Sequence, residues 1–412
     1  MGMKRMIALV VALFVLVVCS GCTDLEWIGS SSEPVDDSVA LSGVIESPSP
    51  VGGTIIPDSD VTEMKVVWIT QFEISPIRSA NESTFRASFA AMMKNCADFG
   101  LNTVFVQVRP NGDSFFPSEY YPWSAYVSGA AGQALSYDPL GVMVEEAHRV
   151  GIQIHAWINP YRLQTVNQME LISNEFLTRQ WYDERESSDR VVVLDGTCYL
   201  NPGHPEAREL IANGVREIAK TYEIDGIHID DYFYPTTDTS FDELAFLLCG
   251  NGKTLEDFRT NNVDETVRLI YQSLKEIRPS AVFSVSPSGN MNNNRNKLYA
   301  DTEKWTSESG YLDYIIPQIY WNYDHATQPF LETLQLWEST VKAEHVKLVP
   351  GLAAYKIDQE NWSGSGDVLS RMVADSRNQA HYGGFALYSY SAMFTSGSEA
   401  MQNERASLQK IM

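Results

Sequence analysis

Two neighbouring carboxylates, Asp230 and Asp231, are the residues whose types and spacing best suit acid–base chemistry. They end the predicted strand 226–231, and an unpaired carboxylate there would be costly to bury. Close carboxylates split their pKa values, so one holds a proton while the other is ionised. Cleavage of a glycosidic bond needs this division, because one group protonates the leaving oxygen and another supports the oxocarbenium-like carbon. The structural alternative is that Asp231 caps the next loop or pairs with Arg109 or Arg162.

Polar and aromatic side chains also follow the other predicted strands. Alternation with a period of two places the polar residues of each strand on one face and the aliphatic residues on the other. Amides, arginines and carboxylates bind sugar hydroxyls, and aromatic rings stack on sugar faces. We therefore expect a carbohydrate cleft whose substrate-binding residues are Arg109, Asn111, Asp113, Trp157, Asn159, Tyr161, Arg162, His228, Tyr232, Gln318, Tyr320, Asn322 and Tyr355.

The elements that position these residues alternate between β-rich runs and amphipathic helices. Strands are predicted at 66–71, 103–109, 153–159, 226–231, 282–286, 314–320, 347–353 and 384–390. Helices are predicted near 84–99, 138–150, 205–222, 263–278, 300–309, 328–343, 367–381 and 399–411. Eight such pairs predict an α/β fold, a (β/α)8 TIM barrel with enlarged βα loops, whose active site lies at the C-terminal ends of the strands. An open doubly wound sheet is the alternative, but no Gly-rich phosphate loop follows the first strand.

Six segments of the sequence closely resemble the glycosyl hydrolase-like 10 family of YddW-like bacterial lipoproteins. The resemblance covers about residues 64–395 and implies a TIM-barrel glycosidase of the cell envelope. It also implies peptidoglycan glycan as the substrate class. The segments that carry it are 67–70, 106–113, 156–162, 200–205, 225–235 and 317–322.

A second likeness concerns the mechanism. Segment 225–230 resembles the fourth strand of chitinases, and the adjacent acids resemble the pair in O-GlcNAcases, where the substrate acetamide is the nucleophile. The hypothesis drawn from this likeness is that Asp230 orients the acetamide and Asp231 protonates the leaving oxygen, while Tyr320 and Asn322 hold the acetamide or its neighbours. Side chains of neighbouring strand residues normally diverge, so the hypothesis requires a twist or bulge at the strand end.

The sequence departs from the chitinase motif at two positions, since His228 replaces an Asp and Tyr232 stands where the catalytic Glu would be. A classical retaining pair is the competing mechanism, and its second carboxylate would come from Glu73, Asp113 or Glu119.

A metal site is a further alternative. His155, His228 and Asp230 could converge in the barrel mouth, but no strand carries the His-x-His pair typical of barrel metallohydrolases. We therefore predict no metal and no cofactor.

The N-terminal segment predicts export and lipid anchoring. Lys4 and Arg5 precede an uncharged apolar run at 6–18, which is shorter than a membrane span and ends before Cys22. Small residues before that cysteine indicate a lipoprotein signal peptide at 1–21, with Cys22 lipidated. The alternative is an ordinary cleaved signal. Ser- and Pro-rich residues 22–62 predict a flexible tether, and residues 63–412 the TIM-barrel domain.

Composition limits the remaining function classes. The 412 residues carry a net charge of −23, so no nucleic-acid partner is expected, because binding to a phosphate backbone requires a basic surface. Cys96, Cys198 and Cys249 form no disulfide framework. The sequence thus predicts a glycoside hydrolase that acts on N-acetyl-amino-sugar glycan and contacts the bacterial membrane only through its lipid. The alternative is a non-catalytic lipoprotein that binds cell-wall glycan.

Overall fold

The computed structural model of the chain describes residues 63–362 and 366–412. Eight parallel strands form the centre of this part, and the sixth and seventh are each interrupted once. In chain order, the strands are β1 (Met64–Ile69), β2 (Thr103–Arg109), β3 (Gln153–Ile158), β4 (Gly226–Ile229), β5 (Val282–Val285), β6 (Tyr314–Ile315 and Gln318–Ile319), β7 (Lys347–Leu348 and Gly351–Leu352) and β8 (Gly384–Leu387).

A helix follows each strand. Several begin as their sequences require: Asp138 accepts a hydrogen bond from the amide of Gly141, and Asn81 one from that of Thr84. The helices are α1 (Glu82–Phe99), α2 (Pro139–Arg149), α3 (Pro205–Thr221), α4 (Leu255–Ile277), α5 (Thr302–Trp305), α6 (Phe330–Thr340), α7 (Val368–Ser376) and α8 (Glu399–Gln409).

The strands close into a barrel. β1 pairs with both β2 and β8, and the pairing continues from β2 through β3, β4 and β5 to the first segment of β6. The two segments of β6 pair with those of β7, and the second segment of β7 pairs with β8. The ring of parallel pairs is complete, which confirms the predicted TIM barrel.

The two faces of the strands differ as alternation requires. Outward residues such as Val106, Ile154 and Ile227 are buried in the large core between strands and helices. Inward residues such as Val66, Trp68 and Phe105 form a second apolar cluster inside the barrel. Truncation of a buried aromatic side chain typically costs about 3–5 kcal/mol, so this inner cluster contributes to the stability of the barrel.

The longest insertion lies between β3 and α3. It contains a three-stranded antiparallel sheet and two short helices, so the long stretch after β3 has secondary structure of its own. The sheet strands are Arg162–Thr165, Val191–Leu194 and Thr197–Leu200, and the helices are Val166–Met169 and Leu177–Asp183. Further short α-helices lie in other loops, at Gln71–Ile74, Ala125–Ser128, Glu243–Cys249, Met291–Asn293 and Tyr390–Phe394.

Three helices differ from a predicted bound by four residues or more, and one of them, α7, ends at Ser376 rather than near 381. α4 begins eight residues earlier than expected, because Thr254 caps it by accepting a hydrogen bond from the amide of Asp257. The helix predicted near 300–309 is only the single turn α5, capped by Asp301. Among the described residues, no helix is long and apolar enough to cross a bilayer. The predicted signal peptide, Cys22 and tether lie outside the described residues.

Candidate active site

A cleft of about 360 Å³ opens at the C-terminal end of the barrel. Small-molecule sites commonly have volumes of ~300–1,000 Å³, so this one is large enough for a sugar ring. All eight strands or the loops directly after them contribute to its wall. The lining residues are Trp68, Gln71, Phe72, Gln107, Trp157, Asn159, Arg162, Asp230, Asp231, Tyr232, Ser286, Gln318, Tyr320, Tyr355 and Tyr388.

Asp230 and Asp231 both reach this cleft. β4 ends at Ile229, so the two acids lie beyond its ladder and are not bound to the alternation of a regular strand. Asp230 is buried, and its carboxylate accepts a hydrogen bond of 3.3 Å from the amide of Tyr232. Asp231 is partly exposed and accepts one of 3.1 Å from Nε2 of Gln318. Both acids therefore line the same cleft.

The environment makes both groups harder to ionise. Burial raises the pKa of Asp230 well above its usual range, and the charge of Asp231 raises it further. Burial also raises the pKa of Asp231, while the hydrogen bond from Gln318 lowers it. Burial and the neighbouring charge thus raise the pKa of Asp230 further than burial raises that of Asp231.

His228 lies beneath the acids and is fully buried. Trp68 Nε1 donates to His228 Nε2 at 3.0 Å, so this nitrogen carries no proton, and the opposite nitrogen Nδ1 donates to Ser284 Oγ at 2.8 Å. The ring also stacks on Phe105, with centroids 4.1 Å apart. Burial and the nearby His155 lower the pKa of His228, which is consistent with a neutral ring. Both nitrogens are used, so His228 supports the floor of the cleft and does not line it.

A pair of amides braces the side of the cleft at β2 and β3. Gln107 Nε2 donates to Asn159 Oδ1 at 3.3 Å, and Asn159 Nδ2 donates to the carbonyl of Pro110 at 3.0 Å. The amide of Gln71 donates to Gln107 Oε1 at 3.4 Å. These contacts tie the loop after β1 to the next two strands.

Three tyrosines form the opposite wall. Tyr320, Tyr355 and Tyr388 contact one another, with each pair of ring centroids 5.8 or 5.9 Å apart. Tyr355 is 45% exposed and Tyr232, across the cleft, 46%, so both present ring surface to a ligand. Aromatic surface of this kind can stack on the apolar face of a sugar.

Arg109 was expected to line the cleft, but in the structure its side chain lies outside it. Gln107 pairs with Trp157 and Arg109 with Ile158, so β2 has one extra residue, a β-bulge, between them. Arg109 therefore faces outward like Ile158. Its guanidinium lies 4.4 Å from the ring centroid of Tyr121, and the side chain is buried outside the cleft.

Five further predicted residues do not line the cleft, because other contacts hold them. Asp113 accepts a hydrogen bond from the amide of Asn111, and burial raises the pKa of Asp113. Tyr161 is buried and donates to Thr266 Oγ1. Asn322 Nδ2 donates to the carbonyl of Asn361, away from the acids. The fifth is His228. The predicted residues that do line the cleft are Trp157, Asn159, Arg162, Asp230, Asp231, Tyr232, Gln318, Tyr320 and Tyr355.

Six cleft residues were absent from the predicted site. Each lies at or just beyond a strand end, and Ser286 and Tyr388 follow β5 and β8, from which no site residue was predicted. The rule that barrel sites lie at C-terminal strand ends, applied equally to all eight strands, would have found them. They are Trp68, Gln71, Phe72, Gln107, Ser286 and Tyr388.

The reserve carboxylates are used elsewhere. Glu73 accepts hydrogen bonds from the amides of Thr70 and Ser391 and from the hydroxyl of Ser389. Neither Glu73 nor Glu119 lines the cleft, whose only carboxylates among the described residues are the two acids. In the same part of the chain, no cluster of three His, Cys, Asp or Glu side chains could hold a metal ion.

Comparison with known proteins identifies the family. The family model of glycosyl hydrolase-like 10 matches residues 63–364. The chain belongs to the glycosyl hydrolase-like 10 family. It is 34% identical over 321 residues to glycosyl hydrolase YngK of Bacillus subtilis, a match that covers 72% of this chain but only 61% of that protein. It is 32% identical over 335 residues to glycosyl hydrolase DigH of Escherichia coli K12, covering 72% and 74% of the two chains.

Solved structures show the same fold at low identity. The glycoside hydrolase domain of PgaB from Bordetella bronchiseptica has a TM-score of 0.55 at 12% identity, covering 84% of this chain and 99% of that one. α-L-Fucosidase isoenzyme 2 from Paenibacillus thiaminolyticus has a TM-score of 0.50 at 14% identity, covering 85% and 49%. At such identities the likeness extends to the barrel alone.

Proposed function

We propose that this protein is a glycosidase of the bacterial cell envelope that cleaves N-acetyl-amino-sugar glycan of the peptidoglycan type. One observation carries the proposal: Asp230 and Asp231 lie together in an open, aromatic-lined cleft at the active end of the barrel. Family membership and relatives named as glycosyl hydrolases support the reaction class.

The carboxylates that line the cleft favour a mechanism in which the substrate acetamide is the nucleophile. A classical retaining or inverting enzyme uses two carboxylates on opposite sides of the scissile bond. Here the two carboxylates are adjacent in sequence, and the other cleft-lining residues among those described supply none. When the substrate acetamide is the nucleophile, the enzyme needs one carboxylate to orient the acetamide and another to act as the acid. Two adjacent carboxylates can fill these two roles.

The burial of the two acids suggests an order of events. Asp230 is the more buried of the two acids and its pKa is raised well above its usual range, so before substrate binds it holds a proton more readily than Asp231. An acetamide N–H that donates to Asp230 stabilises its ionised form, so the proton passes to Asp231. Asp231 is partly exposed and can then protonate the leaving oxygen, while the acetamide oxygen attacks the anomeric carbon and Asp230 accepts the hydrogen bond.

We also propose that the protein is exported and anchored to the membrane through lipid on Cys22, with its domain outside the cytoplasm. The support is the basic, apolar and small-residue pattern of residues 4–22. A polymeric wall substrate, which does not enter the cytoplasm, is consistent with this location.

Glycan cleavage tests the proposal directly. The purified protein is incubated with peptide-free wall glycan and, separately, with N-acetylglucosamine oligomers, and new reducing ends are identified by mass spectrometry. We expect cleavage by the wild type and none by Asp230→Asn or Asp231→Asn. Wild-type rates in both variants would remove the two acids from the mechanism. Binding without cleavage by the wild type would favour the non-catalytic wall-binding alternative.

A further inference from the structure

Three buried polar atoms of cleft-lining residues have no hydrogen-bond partner among the described residues, Nε of Arg162 and two atoms of side chains that are themselves almost fully buried. The latter two are Oγ of Ser286 and Nε1 of Trp157, whose side chains are 1% and 4% exposed. Buried polar groups in folded proteins are nearly always paired, so an unpaired one beside an active site calls for a ligand group.

The barrel register places these two residues on the strands that flank β4, or directly after them. Trp157 pairs with His228, two residues before Asp230 on β4. On the other side, the amide of Ser286 donates to the carbonyl of Ile229 at 2.8 Å, directly before Asp230. Asp230 thus has the unpaired indole N–H on one neighbouring strand and the unpaired hydroxyl on the other.

Ser286 is also tied to the second acid. Nε2 of Gln318 donates both to Oδ1 of Asp231, at 3.1 Å, and to the backbone carbonyl of Ser286, at 3.2 Å. One amide group therefore fixes the backbone of Ser286 beside Asp231. The Ser286 hydroxyl takes no part in these bonds, so the fold does not require it.

Ser284, on the same strand as the approach to Ser286, provides a contrast. Ser284 points to the same face of β5, two residues earlier, and is also buried. Its hydroxyl is bonded to Nδ1 of His228 at 2.8 Å. The lower serine therefore completes a structural network, whereas the upper one is left with its hydrogen-bonding capacity free.

We infer that Ser286 is a specificity-determining residue whose hydroxyl, together with the indole N–H of Trp157, binds a hydroxyl of the sugar unit lying over Asp230. A sugar hydroxyl suits both atoms because it can accept from the indole N–H and donate to, or accept from, the serine. This inference rests on the proposed function, since it assumes a saccharide in the cleft.

The two serines give a matched pair of variants, Ser286→Ala and Ser284→Ala. Each is studied in the full purified protein by its melting temperature, by kcat and KM on N-acetylglucosamine oligomers, and by oligomer binding followed through tryptophan fluorescence. We expect Ser286→Ala to lower kcat/KM about 3- to 10-fold, the equivalent of one neutral hydrogen bond, with no fall in Tm. Ser284→Ala leaves Nδ1 of His228 unpaired and should lower Tm.

The outcomes separate this inference from the proposed function. Unchanged kcat/KM and binding in Ser286→Ala, with an active wild type, would refute the inference alone. Weaker binding by Ser286→Ala with no cleavage by the wild type would support it and refute hydrolysis. A fall in Tm for Ser286→Ala as large as that for Ser284→Ala would show a structural role and overturn the inference. Absence of both binding and cleavage in the wild type would overturn both proposals.

Discussion

Replacement of Asp230 by Asn should abolish glycan cleavage and at the same time stabilise the fold. Both effects have one cause, since burial and the neighbouring Asp231 raise the pKa of Asp230. The folded protein therefore bears a cost whenever this carboxyl is ionised. An Asn side chain is nearly the same size, keeps an oxygen that can accept from the amide of Tyr232, and carries no charge.

The size of each effect follows from the site. Loss of a positioned group in acid–base chemistry typically lowers the rate about 10²- to 10⁴-fold, and apart from Asp231, to which the proposal gives a different role, no described cleft residue supplies a carboxylate. Asp230 is only 5% exposed, so water screens its charge little. Relief of an incompletely compensated buried group is worth roughly 1–3 kcal/mol, which in a domain of this size raises Tm by about 1–4 °C.

The stability difference should depend on pH with a definite sign. A carboxyl whose pKa is raised in the folded state contributes stability that is fully present below the pKa of the unfolded group, about 3.9, and lost as the pH rises through the folded pKa. The Tm of Asp230→Asn should therefore exceed that of the wild type most at neutral pH. The difference should shrink as the pH falls towards 4.

The assay combines calorimetric Tm values between pH 4 and 8 with reducing-end release at each pH. Asp358→Asn is the matched control, because Asp358 is exposed and does not line the cleft. We expect that control to keep both activity and Tm. An active Asp230→Asn, or one whose Tm falls at neutral pH, would refute the argument that this buried carboxyl is retained for catalysis at a cost in stability.

Three other substitutions test separate parts of the structure. Tyr355→Ala should raise KM about 3- to 10-fold with little change in kcat, because it removes an exposed ring worth about 0.5–1.5 kcal/mol in stacking. Steady-state kinetics on oligomers measure both constants, and an unchanged KM would contradict the prediction. Arg109→Met should lower Tm without changing KM, because the guanidinium packs on Tyr121 outside the cleft; a selective rise in KM would place Arg109 in substrate binding after all. Cys22→Ser should move the protein from the membrane to the soluble fraction and abolish incorporation of labelled palmitate. Unchanged labelling would rule out a lipid anchor on Cys22.

The sequence by itself determined the barrel and the position of the acids within it. Local sequence is enough to recognise period-two alternation, as in β2, β3 and β4, and the helical segments between strands. All eight strands were located from such local patterns. The strand-end rule then brought Asp230, Asp231, Gln318 and Tyr320 to one cleft, because parallel strands all end on the same side.

Tertiary structure alone decided which polar residues face the cleft. The bulge in β2 reverses the direction of Arg109, and a single extra residue in a ladder has no distinctive sequence pattern. His228 fits the alternation but is saturated by Trp68 and Ser284, partners 160 and 56 residues away. Alternation fixes the face on which a side chain lies, whereas its depth and its partners depend on contacts between distant strands, which only the closed barrel brings together.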